Sequence, residues 1–142
     1  VNRWIEDGLT DVLRQEGLGA IAFSPLAQGL LTSKYLGERP GERSQQRSSL
    51  PPAGRITPEA RVRLQGLDAI ARERGQSLAQ MSLQWILRDP VVASALIGAS
   101  STAQLDENIA AAGGPAFSAE ELAEIDRLSA DGTSNIWVAE EA

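Results

Sequence analysis

Two short apolar runs of this chain have the pattern of β-strands, and this small number is the strongest constraint on how the chain can fold. AIAFSPL (residues 20–26, ended by Pro25) and VVASALIG (residues 91–98) have the composition of buried strands. Helical segments separate them, which favours parallel pairing through a crossover and an α/β fold. A parallel sheet usually has about four to six strands and is covered on both faces. We therefore expect an incomplete α/β unit whose missing strands lie upstream of Val1.

Helical periodicity accounts for most of the remaining chain. It covers residues 2–19, 57–75, 77–90, 101–112 and 118–130. Thr57 followed by Pro58, and Ser77 in the third segment, are capping signals. Ser118 and Glu121 have the spacing of a capping box. The predicted buried faces are Ile5, Leu9, Val12 and Leu13, then Val62, Leu64, Leu67, Ile70 and Ala71, then Met81, Trp85 and Ile86.

The charge balance argues against a nucleic-acid partner. The formal net charge is -6, with 19 acidic and 13 basic residues, so there is no general excess of cations for a phosphate backbone. No apolar run approaches the roughly 20 residues that cross a bilayer. We expect a soluble, cytoplasmic protein that does not enter a membrane.

Histidine and cysteine are both absent from the sequence. Their absence excludes Ser-His-Asp and thiolate catalysis within this chain, and it removes the commonest zinc ligand. It also excludes disulfides, which agrees with a reducing compartment. We predict no metal site, and any chemistry here must use other groups.

The loop that follows the first strand carries groups suited to a flat, phosphorylated ligand. Phe23 could stack against a ring, Ser24 could donate a hydrogen bond, and Lys34 could neutralise a phosphate. The alternative is that Phe23 belongs to the core and Lys34 is simply solvated. Tyr35 beside Lys34 is a weak candidate for proton transfer, because adjacent side chains diverge.

The loop that follows the second strand leads directly into a helix. Gly98 permits close backbone approach, and the first amides of the helix, with the hydroxyl of Ser100, favour an anion. Gln104, Glu107 and Asn108 lie in the first turns and could contact a sugar or base. The alternative is that Ser101 or Thr102 only caps the helix and that Gly98 only makes a turn.

Two further segments have open interpretations. Residues 37–54 form a long loop with Arg39, Arg43 and Arg47, which either solubilise the chain or cover a phosphate as an arginine flap. Residues 131–142 form a C-terminal tail in which Trp137 either packs locally or brings the tail across a pocket.

The segments NRWIEDGLTDVLRQEGLGAIAFSPLAQGLLTSKY, GQSLAQMSLQWILRDPVVASALIGAS and QLDENIAA resemble the C-terminal half of aldo-keto reductases. The resemblance is strongest to the branch with the bacterial L-glyceraldehyde 3-phosphate reductases and the potassium-channel beta subunits. It implies a (β/α)8 TIM barrel, with ligands at the carboxyl ends of the strands. Residues 1–142 would then be the C-terminal part of one barrel domain, with its strands seven and eight.

The resemblance also implies an NADP(H) site. The aromatic position that matches Phe23 stacks on the nicotinamide, and an arginine of the long loop, here Arg43 or Arg47, reaches the 2′-phosphate end. The positions that line the pyrophosphate correspond to Ser24, Pro25, Leu26, Ala27, Gln28, Gly29 and Lys34. Those at the adenosine and 2′-phosphate end correspond to Gly98, Ser100, Gln104, Glu107 and Asn108.

The family's catalytic Asp, Tyr, Lys and His belong to the barrel half that would precede Val1. The resemblance therefore implies a reductase of small aldehydes or ketones, such as glyceraldehyde 3-phosphate or methylglyoxal, of which this chain alone is inactive. A second interpretation is a non-catalytic NADP(H)-binding, regulatory or assembly module. Exposed strand edges would also allow a homo-oligomer.

Overall fold

The computed structural model describes residues 3–33, 36 and 56–129. The predicted arginine loop (37–54) and the predicted tail (131–142) lie outside the described residues, as do Lys34 and Tyr35.

Five helices, two strands and three short 3-10 turns form the described chain. In chain order they are a 3-10 turn Trp4–Glu6, α1 Leu9–Gln15, β1 Ala20–Phe23, a 3-10 turn Ala27–Gly29, α2 Pro58–Glu73, α3 Leu78–Leu87, β2 Val92–Leu96, α4 Thr102–Ala110, a 3-10 turn Ala111–Gly113 and α5 Ala119–Ser129. This order confirms the predicted alternation of helices with two short strands.

The strands β1 and β2 pair in parallel, as the sequence predicts. Ala20 pairs with Val92 and Phe23 pairs with Leu96, with an irregularity after Ala20. The described residues thus form a partial α/β unit with an open sheet, and they do not close into a barrel.

One face of this sheet is exposed. Ile21 and Phe23 are each 69% exposed, and Leu96, opposite Phe23, is 57% exposed. These side chains lie on the same face because residues two apart in a strand, and residues paired across strands, point the same way. The alternative that placed Phe23 in the core is therefore wrong.

The core lies between the helices. Leu64, Leu67 and Ala71 of α2, Leu78 and Met81 of α3, Ile125 and Leu128 of α5, and Leu31 after β1 form one buried cluster. Each leucine, isoleucine or methionine side chain of this cluster contributes roughly 1.5–3 kcal/mol when it is fully removed from water.

The predicted helix starts are confirmed. The Thr57 hydroxyl accepts a hydrogen bond from the Ala60 amide at 3.1 Å, with Pro58 in the first helical position. Ser77 and Gln80 form a complete capping box at the start of α3. These bonds satisfy amides that a helix cannot satisfy internally.

Four details of the predicted helices are wrong. The first segment is a 3-10 turn followed by the short helix α1, because Gly8 at φ 92° interrupts it. Leu9, Val12 and Val62, predicted to be buried, are 40%, 52% and 65% exposed.

The positions of these side chains around their helices explain the exposure. Val12 and Val62 each stand two positions, or about 200°, from a buried residue of the same helix, Thr10 in α1 and Leu64 in α2, and so point away from the packed face. Leu9 is adjacent to Thr10 and lies about 100° around α1 from it.

A buried arginine joins α2 and α3 to the segment before α5. The Arg74 side chain is only 3% exposed, and its guanidinium lies 3.9 Å from the Phe117 ring centroid. Its hydrogen-bond acceptors are Glu121 at 2.6 Å, Gln76 at 2.8 Å, Gln84 at 3.0 Å and the carbonyl oxygen of Pro115. A buried cation this fully bonded stabilises one arrangement of the three elements.

Arg74→Ala should lower the free energy of unfolding by about 3–5 kcal/mol, because it removes a buried cation that bonds to three elements at once and leaves the Glu121 carboxylate without its cationic partner. Chemical denaturation measures this loss. Arg72→Ala, in which the lost side chain is 76% exposed and pairs with Asp68, is the control and should change stability little. Equal losses in the two variants would contradict the role given to Arg74.

Glu121 should make stability depend on pH in acid. Its pKa is lowered first by the hydrogen bond from the Ser118 amide and then by Arg74. The resulting stabilisation is present above the ordinary glutamate pKa of 4.5 and is lost as pH falls through the lower folded-state pKa. The difference in stability between the native chain and Glu121→Gln should therefore shrink as the pH falls through the folded-state pKa of Glu121. Denaturation curves at several pH values test this, and a constant difference would contradict it.

Candidate functional site

The two loops singled out in the sequence meet at one edge of the sheet. Phe23 is the last residue of β1, and its partner Leu96 is the last residue of β2. Because the strands are parallel, the loops that start at Ser24 and at Ile97 leave the same edge side by side. This edge is where parallel α/β folds bind ligands.

The first loop has an unusual backbone. Ser24, Ala27 and Gln28 have φ values of 53°, 47° and 58°, in the left-handed region that non-glycine residues rarely adopt. The Ala27 amide donates to the Ser24 carbonyl, and the Gly29 amide donates to the Leu26 carbonyl, both at 2.9 Å. Strain of this kind is concentrated at ligand-binding loops.

The first loop packs against the core, but one of its buried polar atoms lacks a hydrogen-bond partner among the described residues. Pro25 is buried, and Leu26 and Ala27 pack against the helical core. The side-chain oxygen of Gln28 is buried and has no hydrogen-bond donor in the described part of the chain. A buried acceptor without a donor is costly, so this position suits a donor group supplied from outside the described residues.

The second loop enters α4 through a side-chain cap. The Ser101 hydroxyl accepts from the Gln104 amide at 3.3 Å, so Ser101, and not Thr102, is the cap. The Gln104 side-chain oxygen in turn accepts from the amide and the hydroxyl of Ser100, each at 2.8 Å. Within the described ranges, the amides of Thr102 and Ala103 have no acceptor and remain available to an anion.

Gln104, Glu107 and Asn108 share one face of α4, because they are three and four residues apart. Asn108 is half-buried, whereas Gln104 and Glu107 are exposed. Gly98 is also exposed, and a side-chain carbon added there would meet nothing within 4 Å. Nothing in the described chain thus requires glycine at that position.

The structure places the predicted site residues in two groups. Those of the first loop, Phe23, Ser24, Pro25, Leu26, Ala27, Gln28 and Gly29, and the start of the second loop, Gly98 and Ser100, follow the paired ends of the two strands. Gln104 lies in the first turn of α4, and Glu107 and Asn108 lie in its second half. Lys34, Arg43 and Arg47 lie outside the described residues.

A cavity of about 50 Å³ lies elsewhere, between the helices, and no predicted site residue lines it. Its walls are Arg3, Leu31, Leu67, Met81, Ser82, Trp85, Ile86, Ile125 and Ser129. The Arg3 guanidinium donates to Asp126 at 2.7 Å and lies 4.9 Å from the Trp85 ring centroid. Sequence reasoning did not identify this contact, which joins positions far apart in the chain.

Two further features are absent from the described ranges. No cluster of three or more acidic, histidine or cysteine side chains there could hold a metal ion. No helix among those residues is both long enough and apolar enough to cross a membrane.

Ala27→Gly should change the free energy of unfolding by less than about 0.5 kcal/mol. Removing the side-chain carbon relieves a left-handed strain of roughly 1–2 kcal/mol, which offsets a glycine entropy cost of about 0.5–1 kcal/mol and the lost contact of that partly buried carbon with the core. Ala69→Gly, in the regular exposed part of α2, is the control and should lower stability by about 1 kcal/mol. Denaturant titration compares the two losses, and a loss at Ala27 equal to or larger than that at Ala69 would contradict the strain at Ala27.

Comparison with known proteins gives the same family that the sequence resembles. The sequence model described as the Aldo/keto reductase family matches residues 1–130. The L-glyceraldehyde 3-phosphate reductase of Escherichia coli (strain K12) is 48% identical over an alignment of length 145. The alignment covers 98% of this chain and 42% of that protein. The match confirms the resemblance predicted from the sequence.

Two more distant relatives widen the comparison. Protein tas of Escherichia coli (strain K12) is 40% identical over 112 residues, covering 77% of this chain and 32% of its own length. A putative voltage-gated potassium channel subunit beta of Schizosaccharomyces pombe is 34% identical over 99 residues, covering 67% of this chain and 29% of its own length. The chain thus spans less than half the length of these relatives.

Proposed function

Because this chain belongs to the aldo/keto reductase family, we propose that it is the NADP(H)-binding part of a reductase of small aldehydes or ketones. The observation that carries the proposal is the parallel pairing of β1 and β2, which brings both predicted nucleotide-binding loops to one edge. The NADP(H) cofactor and the cytoplasmic location belong to this proposal.

The residues at that edge fit a pyridine dinucleotide. Phe23 presents an exposed ring at the end of β1, suited to stack on a nicotinamide. The strained Ser24–Gly29 loop fits the middle of the ligand, and its buried Gln28 oxygen has no donor among the described residues. The first two amides of α4, which have no acceptor in the described part of the chain, and the hydroxyl of Ser100 suit a phosphate.

The adenosine end has its own polar surface. The carboxamides of Gln104 and Asn108 share a face of α4. That of Asn108 can donate and accept hydrogen bonds, whereas Gln104 offers its amide hydrogens, because its side-chain oxygen already accepts twice from Ser100. Glu107 on the same face is an acceptor only, so it suits a hydroxyl or amino group rather than a phosphate. An arginine of the long loop, Arg43 or Arg47, would supply the charge for a 2′-phosphate.

This chain contributes binding and not proton transfer. When bound, the reduced nicotinamide supplies a hydride. The accompanying proton comes, in the family resemblance, from a tetrad that includes a histidine, and this chain has none. Loss of a general acid costs about 10²–10⁴ in rate, so we propose that turnover by this chain alone is negligible.

The relatives support a small substrate. The name L-glyceraldehyde 3-phosphate reductase, on a relative with 48% identity, favours a short phosphorylated aldehyde, with methylglyoxal as a related choice. A second candidate is a non-catalytic NADP(H)-binding regulatory or assembly module. The exposed face of Ile21, Phe23 and Leu96 favours it, because it leaves an apolar surface for another protein segment or a second copy.

NADPH titration followed by fluorescence tests the binding proposal. The purified chain should bind NADPH, and Phe23→Ala should weaken binding by about tenfold through loss of ring stacking. Ile21→Ala is a matched control, since Ile21 lies on the same face and is equally exposed at 69%, and it should change the affinity little.

The same preparation tests the lack of activity. With glyceraldehyde 3-phosphate or methylglyoxal, NADPH oxidation should stay at the uncatalysed rate. Absence of NADPH binding, or equal weakening by both alanine variants, would contradict the binding proposal. Sustained NADPH oxidation by the purified chain would contradict the proposed inactivity.

A further inference from the structure

The helix α4 carries half of the proposed nucleotide site, yet it is held loosely. None of its residues is buried, and its two large apolar side chains, Leu105 and Ile109, are 43% and 61% exposed. It contacts α3 along one side and continues into the 3-10 turn Ala111–Gly113. A specific polar contact therefore has more influence on its position than it would on a buried helix.

Gln80 supplies such a contact. Its side-chain amide donates to the carbonyl oxygen of Glu107 at 3.1 Å. In the part of the chain that the structure describes, no other side-chain hydrogen bond or ion pair joins α4 to a different helix. The contact spans from the first turn of α3 to the last turns of α4.

The Glu107 carbonyl is available because α4 tightens at its end. The Ala111 amide is directed to the carbonyl oxygens of Asn108 and Ile109, three and two residues back, and not to that of Glu107, four residues back. Terminal carbonyls left in this way need another donor. The Gln80 amide therefore acts as a C-terminal cap for α4.

The orientation of Gln80 is fixed from its other side. Its side-chain oxygen accepts from the Ser77 amide at 3.0 Å, in the capping box of α3. Because only the oxygen can accept, the amide group of the same side chain must face Glu107. One glutamine thus caps the start of α3 and the end of α4 together.

We infer that Gln80 is a positioning residue for the nucleotide site: it sets the place of α4, and with it that of Ser100, Gln104 and Asn108 at the sheet edge. The inference rests on the proposed function for its ligand, while the contact itself rests on the structure alone. Gln80 does not belong to the predicted set of cofactor-binding residues.

The variant Gln80→Glu keeps the hydrogen bond from the Ser77 amide and removes the one to the Glu107 carbonyl oxygen. Glutamate serves as well as glutamine in a capping box, so the bond from Ser77 and the start of α3 are retained. The donor to Glu107 is replaced by a carboxylate oxygen that repels the carbonyl. Amide hydrogen exchange of α4 should become about 2- to 10-fold faster, and NADPH affinity should fall by a similar factor. Exchange in α3 should not change.

Two further variants control the result. Gln80→Lys keeps a donor for Glu107 and loses the acceptor for Ser77, so it should retain α4 protection and NADPH affinity while α3 exchanges faster. Gln65→Glu makes the same charge change at an exposed position of α2 and should change neither quantity. Reversed results for the Glu and Lys variants would overturn the inference.

The two proposals fail separately. If the native chain does not bind NADPH, the proposed function fails, and exchange in α4 still tests the contact. If NADPH binds and Gln80→Glu leaves α4 exchange unchanged, the positioning role is overturned. Faster exchange with unchanged NADPH affinity would also overturn it, because α4 would then move without consequence for the site.

Discussion

The parallel pairing of β1 with β2 is the constraint on which the other features depend. Antiparallel strands would send the loops after Phe23 and after Leu96 to opposite ends of the sheet, and no shared edge would exist. Parallel pairing requires a long crossover, and here α2 and α3 supply it. The helical core that buries Leu78 and Ala71 therefore also fixes the geometry of the candidate site.

Backbone strain at the sheet edge persists because the loop is anchored. Ser24, Ala27 and Gln28 hold left-handed conformations, while Pro25 within the loop and Leu31 after it are buried. These buried residues prevent the turn from relaxing, so packing against the core maintains a backbone shape that the loop would not adopt alone.

Arg74 has a comparable effect between the two crossover helices, where its hydrogen bonds fix the end of α2 against α5 and the segment before it.

Sequence patterns predicted the features that depend only on residues close together in the chain. The helix caps at Thr57 and Ser77, the two strands and the two loops each depend on a few consecutive residues, and the structure contains all of them. The predictions of burial were wrong where burial depends on the direction in which a side chain points. Val12 and Val62 fit an apolar pattern but point away from the packed face. The contact from Gln80 to Glu107 depends on two helices meeting in space, although the glutamine of the capping box was visible in the sequence.

The two ends of the proposed ligand differ in how much of their site this chain supplies. At the adenosine end, Ser100, Gln104 and Asn108 belong to one loop and one helix, and the amide and hydroxyl of Ser100 already donate to the side-chain oxygen of Gln104. At the nicotinamide end, Phe23 offers one ring on an open sheet face. A ring that stacks on a ligand with one face gains less than a ring enclosed within a closed pocket, whereas preformed polar groups lose little entropy on binding. In the proposed complex, the affinity of this chain therefore comes mainly from the phosphate and adenosine end, and hydride transfer needs walls that the described residues do not form.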